Sequence, residues 1–275
     1  MLYRLLLVFL LATSAAGAEN LAREQVIASE LIERIGEQEV VWLRSNGTNF
    51  LALSVKTSAA EERGGIILLH DIDAHPDWPE IISPLRNGLP EKGWSTLSIQ
   101  LPLRSRDVEL NARSQQKIID LAQARIAAAV DYFTHAGIYN IAFIGHGLGA
   151  TAISRFLSHG LPQHHAVYIK AFIAIRFRAH EQLPTAYLPQ ALLKSKVPLP
   201  IFELLGTRES PTVQQQAEQR KIVATQTQHP NFRQTVLSNA NNNFWRADAL
   251  LLSRISGWLK LNVADGVVVL VASER

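Results

Sequence analysis

The sequence predicts an α/β fold, a mostly parallel eight-stranded sheet with helices on both faces, and three features carry that prediction. Short apolar runs bounded by turn residues, such as Gly65 to His70 and Ile141 to Ile144, alternate with longer stretches whose apolar residues recur at helical spacing. Trp94 to Ile99, the helical stripe from Gln115 to Ala136 and the run from Ile141 then read as strand, crossover helix and strand, which parallel pairing requires. Gly145-His-Gly-Leu-Gly149 follows that last run at once and leads into a helix starting at Leu148, a sharp turn at the end of a buried strand.

The remaining elements follow in order. Leu21 to Ile35 carries Leu21, Val26, Ile27, Leu31, Ile32 and Ile35 at helical spacing and stops at Gly36. Glu39 to Arg44 and Asn49 to Val55 form a hairpin, because Asn46-Gly47 between them is the strongest short hairpin signal. A polar loop from Asp71 to Pro79 precedes a helix ending at Leu89. Beyond the glycine-rich turn come a helix from Leu148 to Leu157 and strands at Val167 to Ile175, Leu199 to Leu205 and Phe232 to Leu237. Helices at Gln214 to Val223 and Phe244 to Leu261 complete the alternation. The polar segment 176–196, with a short helical piece at Gln190 to Leu193, suits a small lid, and the apolar tail within 263–275 suits an extra edge strand.

Composition limits what the chain can be. At 275 residues and 47% apolar it fits one large α/β domain spanning 19–275. Residues 1–18 form a secretory leader: Arg4 gives the positive start, Leu5 to Ala12 is too short to span a bilayer, and Ala16-Gly17-Ala18 offers a cleavage site. No later stretch reaches transmembrane length, and the absence of cysteine excludes disulfides and thiolate metal sites. A net charge of +3, spread along the chain, argues against a nucleic-acid partner. The expectation is a periplasmic or secreted bacterial protein.

The turn at 145–149 has the spacing of the nucleophile elbow, G-x-S-x-G, of α/β-hydrolases, with Gly147 where serine stands. Flanking glycines let strand and helix approach without a Cβ clash, and glycine at the centre relaxes the strained dihedrals while removing the attacking atom.

Eight strands in this order, opening with a hairpin, resemble the α/β-hydrolase fold. More narrowly, His75-Pro-Asp-Trp-Pro79, Pro84-Leu-Arg, Gly93-Trp-Ser-Thr-Leu-Ser-Ile, Leu101-Pro102 and Gly145-His-Gly-Leu-Gly-Ala150 resemble a family of secreted bacterial proteins that is known only as a domain of unknown function. The resemblance implies an oxyanion-hole segment at His70-Asp71-Ile72 and a second donor in the Leu148 N–H. It places Glu209 where the triad acid sits, with Glu203 as second choice, and Asn242 in the loop that normally carries the histidine. Serine attack needs a base within hydrogen-bond reach, and asparagine is not one at neutral pH.

These replacements favour a binding or interaction module without serine catalysis. Its pocket would lie around His70, Asp71, His146, Gly147, Leu148, Glu209 and Asn242 and take a small acyl or anionic ligand, with Arg104 or Arg106 assisting, or a protein partner. The alternative is an esterase-like hydrolase with relocated groups, His146, Glu209 or a metal activating water. A lesser one is dinucleotide binding through Gly145-x-Gly147-x-x-Ala150, with Arg176 and Arg178 near the next strand end. His146 reads first as a packing residue beside the pocket, and Ser154 as bonded to its own helix backbone. The loop from His70 to Asp77 is dense in metal-capable side chains but lacks a supporting helical motif, and His159, His164 and His165 read as loop surface, so no metal or cofactor is expected.

Overall fold

The computed structural model describes residues 20–178, 199–238, 240 and 244–263. Helix α1 spans 20–35 and ends at Gly36, whose φ of 94° only glycine adopts without strain. β1 (Val40–Ser45) and β2 (Thr48–Val55) form the antiparallel hairpin, and positive φ at both Asn46 and Gly47 makes its turn the type that matches strand twist. Then come β3 (Gly64–Leu69), α2 (Ile82–Gly88), β4 (Trp94–Ile99), α3 (Ala112–His135), β5 (Ile141–His146) and α4 (Leu148–Arg155). A widened helical turn at Phe156–Gly160, a short α5 (Gln163–Ala166), β6 (Ile169–Ile175), β7 (Ile201–Gly206), α6 (Pro211–Gln226), β8 (Phe232–Leu237) and α7 (Asp248–Asn262) follow.

The sheet order is β1-β2-β4-β3-β5-β6-β7-β8. β2 pairs antiparallel with β1 and with β4, and every later pairing is parallel. β3 and β5 are therefore neighbours at the centre, with Leu69 opposite Gly145. Their central strands are wholly buried, as expected where helices cover both faces of a parallel sheet.

Strand alternation divides the core into two layers. Ile67, Leu69, Ile141 and Phe143 face α3 and α4, packing with Ile126, Phe133, Ile153 and Phe156. Ile66, Leu68, Ala142 and Ile144 face α2 and α7, packing with Ile82, Leu85, Ile255 and Trp258. The accessory helix α1 sits outside this plan, held by Ala28 and Leu31 on Leu51 and Leu53. A buried ion pair fixes it: Arg125 donates to Glu24 at 2.8 Å and to the Gln100 carbonyl at 2.9 Å. Among the described residues no helix is long and apolar enough to cross a membrane.

The element boundaries differ from expectation at helix starts. α3 begins at Ala112 because Asn111 and Ser114 cap it reciprocally, each side chain meeting the other's backbone N–H at 3.0 Å. α6 begins at Pro211, a favoured first helical position behind the Ser210 cap. β6 begins later than Val167 because α5 occupies the connection. The leader, most of the expected lid with its piece at Gln190 to Leu193, and the tail beyond 263 lie outside the described residues.

Candidate functional site

The site forms where β3, β5, β6 and β7 end and α4 begins. Gly147 sits at φ 54° and ψ −117°, the strained conformation of an elbow. Its neighbours allow the tight crossing: a Cβ on Gly145 would stand 2.5 Å from Ala150 N, and one on Gly149 would stand 2.5 Å from the Leu69 carbonyl.

The space normally filled by the nucleophile is not empty. A Cβ on Gly147 would overlap the carboxyl carbon and both oxygens of Asp71. Asp71 Oδ1 accepts hydrogen bonds from the Leu148 N–H at 2.7 Å and from the Ile72 N–H at 2.8 Å. These backbone groups come from the two segments that the resemblance assigns to an oxyanion hole, and the chain's own carboxylate engages both. Asp71 Oδ2 accepts from Arg178 Nη2 at 2.9 Å and lies 3.6 Å from Arg176 Nη1.

Two arginines at the end of β6 thus face one carboxylate. Arg178 is oriented through its own carbonyl, which accepts from Thr151 Oγ1 of α4 at 2.7 Å. Arg176 holds a left-handed φ of 50°, of order 1 kcal/mol of strain, and its Nε donates to Glu209 Oε2 at 3.0 Å. Glu209 is 5% exposed, and its Oε1 has no hydrogen-bond partner among the described residues. Glu209, the expected triad acid, is therefore a buried carboxylate in an ion pair. The second choice, Glu203, is committed elsewhere: it binds Arg220 and accepts from Gln234 Nε2 at 3.0 Å.

Burial opposes ionisation of Asp71, and attraction to His146 acts only if that ring is charged. In the acid range where Asp71 titrates that ring is charged, and it, Arg178 and the Leu148 N–H hold the carboxyl below its usual range. His146 is 4% exposed, neither ring nitrogen has a hydrogen-bond partner among the described residues, and burial lowers its pKa to about 4 despite Asp71. It is neutral at pH 7. His70 is neutral too, since burial lowers its pKa to about 3. Its Nε2 accepts from the Leu101 N–H at 3.0 Å, which leaves Nδ1–H to donate to the Asp71 carbonyl at 2.7 Å. His70 is a brace for the Asp71 loop.

The structure thus unites His70, Asp71, His146, Gly147, Leu148 and Glu209, as the sequence suggested, and adds Arg176 and Arg178, read from sequence only as possible dinucleotide contacts. Both arginines face Asp71, and the Leu148 N–H at the helix mouth is engaged by the same carboxylate. Arg104 is bound to Asp73 at 3.0 Å, and Arg106 is exposed. Asn242 lies outside the described residues. Two residues need correction: Ser154 is fully buried with Oγ unpartnered among the described residues, and His165 is buried, since α5 folds it inward.

The sheet order and the elbow define the α/β-hydrolase fold. The chain belongs to the family described as "Protein of unknown function (DUF3530)", whose model matches residues 12–117 and 104–261. Among solved structures, a dienelactone hydrolase from Anabaena variabilis is similar over 82% of this chain and 97% of its own, at 18% identity and a TM-score of 0.64. An esterase from Pyrococcus furiosus matches over 83% of this chain and 94% of its own, at 16% identity and a TM-score of 0.61. Est1E from Butyrivibrio proteoclasticus matches over 82% and 99%, at 14% identity and a TM-score of 0.59. Comparison with curated proteins gives no match. At these identities the likeness is one of fold.

Proposed function

We propose that this protein is an exported member of the α/β-hydrolase fold that has given up serine catalysis and acts as a binding or interaction module. The observation that carries the proposal is the Asp71 carboxylate, seated in the nucleophile's place and saturating the Leu148 and Ile72 N–H groups. An acyl substrate would find neither an attacking atom at residue 147 nor a free donor for its developing oxyanion. Binding is then expected over the carboxyl ends of the strands, by an acyl or anionic small molecule that displaces Asp71 from its donors or by a protein partner that leaves it in place. Nucleic acid is not an expected partner.

The test is covalent labelling by a serine-directed fluorophosphonate. The unaltered protein should stay unlabelled, while a folded Gly147→Ser, Asp71→Gly, Asn242→His variant should label; labelling of the unaltered protein would end the proposal. Asp71→Gly is needed because a serine Cβ overlaps the native carboxylate. Export is tested separately, by an amino terminus near Glu19 in a periplasmic extract.

A second reading, a hydrolase with relocated groups, draws on the unpartnered nitrogens of His146 and the unpartnered Oε1 of Glu209. The electrostatics weigh against it. A histidine with a pKa of about 4 is a weak base at neutral pH, and Arg176 pairs with Glu209. Asp71 is an equally poor nucleophile, because Arg178 holds its outer oxygen. Turnover of any ester that is abolished by His146→Leu would restore this reading.

A further inference from the structure

At the opposite end of the sheet from the elbow, three side chains with metal-binding atoms converge. Asp131 projects from the last two turns of α3, and His164 and His165 come from α5, just before β6. One ligand atom from each lies within 4.8 Å of the other two. His165 Nε2 is 2.7 Å from Asp131 Oδ1, and the His164 and His165 ring centroids are 4.1 Å apart.

The backbone prepares this convergence. Pro162 precedes α5, its carbonyl accepts the His165 N–H at 2.9 Å, and the His165 carbonyl accepts the Tyr168 N–H at 3.0 Å. His165 is consequently held inward at 2% exposure, while Nδ1 has no hydrogen-bond partner among the described residues. The other ring nitrogen, Nε2, is the one that faces Asp131 and the cluster. His164 is exposed, so its position beside His165 leaves the cluster open to solvent on one side.

We propose that Asp131, His164 and His165 form a site for a borderline divalent cation of the Zn²⁺ class. Two imidazoles and one carboxylate suit such an ion, with water in the fourth position of a tetrahedron. Metal–ligand bonds of about 2.0–2.2 Å place neighbouring ligand atoms roughly 3.3 Å apart. The Asp131–His165 pair opens slightly from 2.7 Å to meet this, and His164 closes from within its 4.8 Å limit. The ion would bolt α5 to α3 at the amino ends of β5 and β6. That is about one strand length, roughly 17–20 Å, from the elbow, so the site is independent of the function proposed above.

The test uses the tag-free protein, stripped with a chelator and titrated with Co²⁺. One equivalent should bind and give the visible absorption of four-coordinate cobalt, and Zn²⁺ should displace it. His164→Ala alters an exposed residue and should leave the fold intact by circular dichroism. It and Asp131→Asn should each weaken binding by more than about a hundredfold, beyond the roughly 10–100-fold typical of losing an outer partner. Zn²⁺ should raise the melting temperature of the unaltered protein and not of His164→Ala. No one-equivalent binding, or binding equally tight in His164→Ala, would overturn the proposal.

Discussion

The carboxyl group of Asp71 and a side chain at residue 147 compete for the same volume: a Cβ on Gly147 would overlap all three atoms of that carboxyl. Gly147→Ser alone should therefore destabilise the protein by about 2–4 kcal/mol, combining overpacking with the strain of a left-handed φ. Adding Asp71→Gly should return part of that loss, with a coupling of at least about 1 kcal/mol between the two sites. Urea unfolding of both single variants and the double variant measures it. Strict additivity would show that the two positions do not compete.

Asp71→Asn keeps the shape of the plug and removes its charge. The amide oxygen still accepts from Leu148 and Ile72, but Arg178 faces an amide, and Arg176 retains only Glu209. Arg178 is 30% exposed at its side chain, so water offsets part of the loss. The expected destabilisation is about 2–3 kcal/mol, below the usual range for breaking a fully buried pair. Denaturation at pH 7 should show it.

The two buried histidines set an acid limit. The folded-state pKa values of His146 and His70, about 4 and about 3, lie below the unfolded value of 6.5. Between those values the unfolded chain binds more protons, so stability falls as the pH drops from about 6.5 toward 4, and His70 extends the fall toward 3. Each contributes roughly 3–5 kcal/mol over its window. Asp71, whose pKa is lowered, adds its own loss only below its ordinary value of 3.8. His146→Leu should cost little at pH 7, since neither nitrogen has a partner among the described residues, and should flatten the slope between pH 6.5 and 4. An unchanged slope in denaturant titrations across that range would contradict the assignment.

Glu203 and Arg220 form a buried pair that ties β7 to α6, with Arg220 Nη2 also donating to the Phe177 carbonyl at 3.0 Å. Arg220→Met leaves an unpaired buried carboxylate and should destabilise by about 3–5 kcal/mol. Glu203→Gln combined with Arg220→Met should lose less than the two single changes together. The same variants should leave fluorophosphonate behaviour unchanged, separating Glu203 from the elbow.

The sheet was legible because its signals are local. Apolar runs of six or so residues, Asn46-Gly47 and the 145–149 glycines each specify their own geometry. The start of α3 was less so, because its cap pairs Asn111 with Ser114 and lacks the Glu or Gln that marks the commoner form. The inward turn of His165 depends on a helix of four residues, too short to show periodicity. The plug depended on contact between residues 71 and 148, which no window along the chain contains. Its signal was present nonetheless: an acidic residue in the loop after β3, coinciding with a missing side chain at the elbow.

The Asp71 contacts also bear on when the native state closes. They join residues 77 and 107 positions apart along the chain; the first requires β3 and β5, and the second β3, β5 and β6, to be already side by side. Contacts of such long range are expected to close after the strands that carry them, on the native side of the folding barrier. Their removal should hasten unfolding while leaving the folding rate nearly unchanged. The carboxylate packed against the elbow is thereby also a latch on the lifetime of the folded chain.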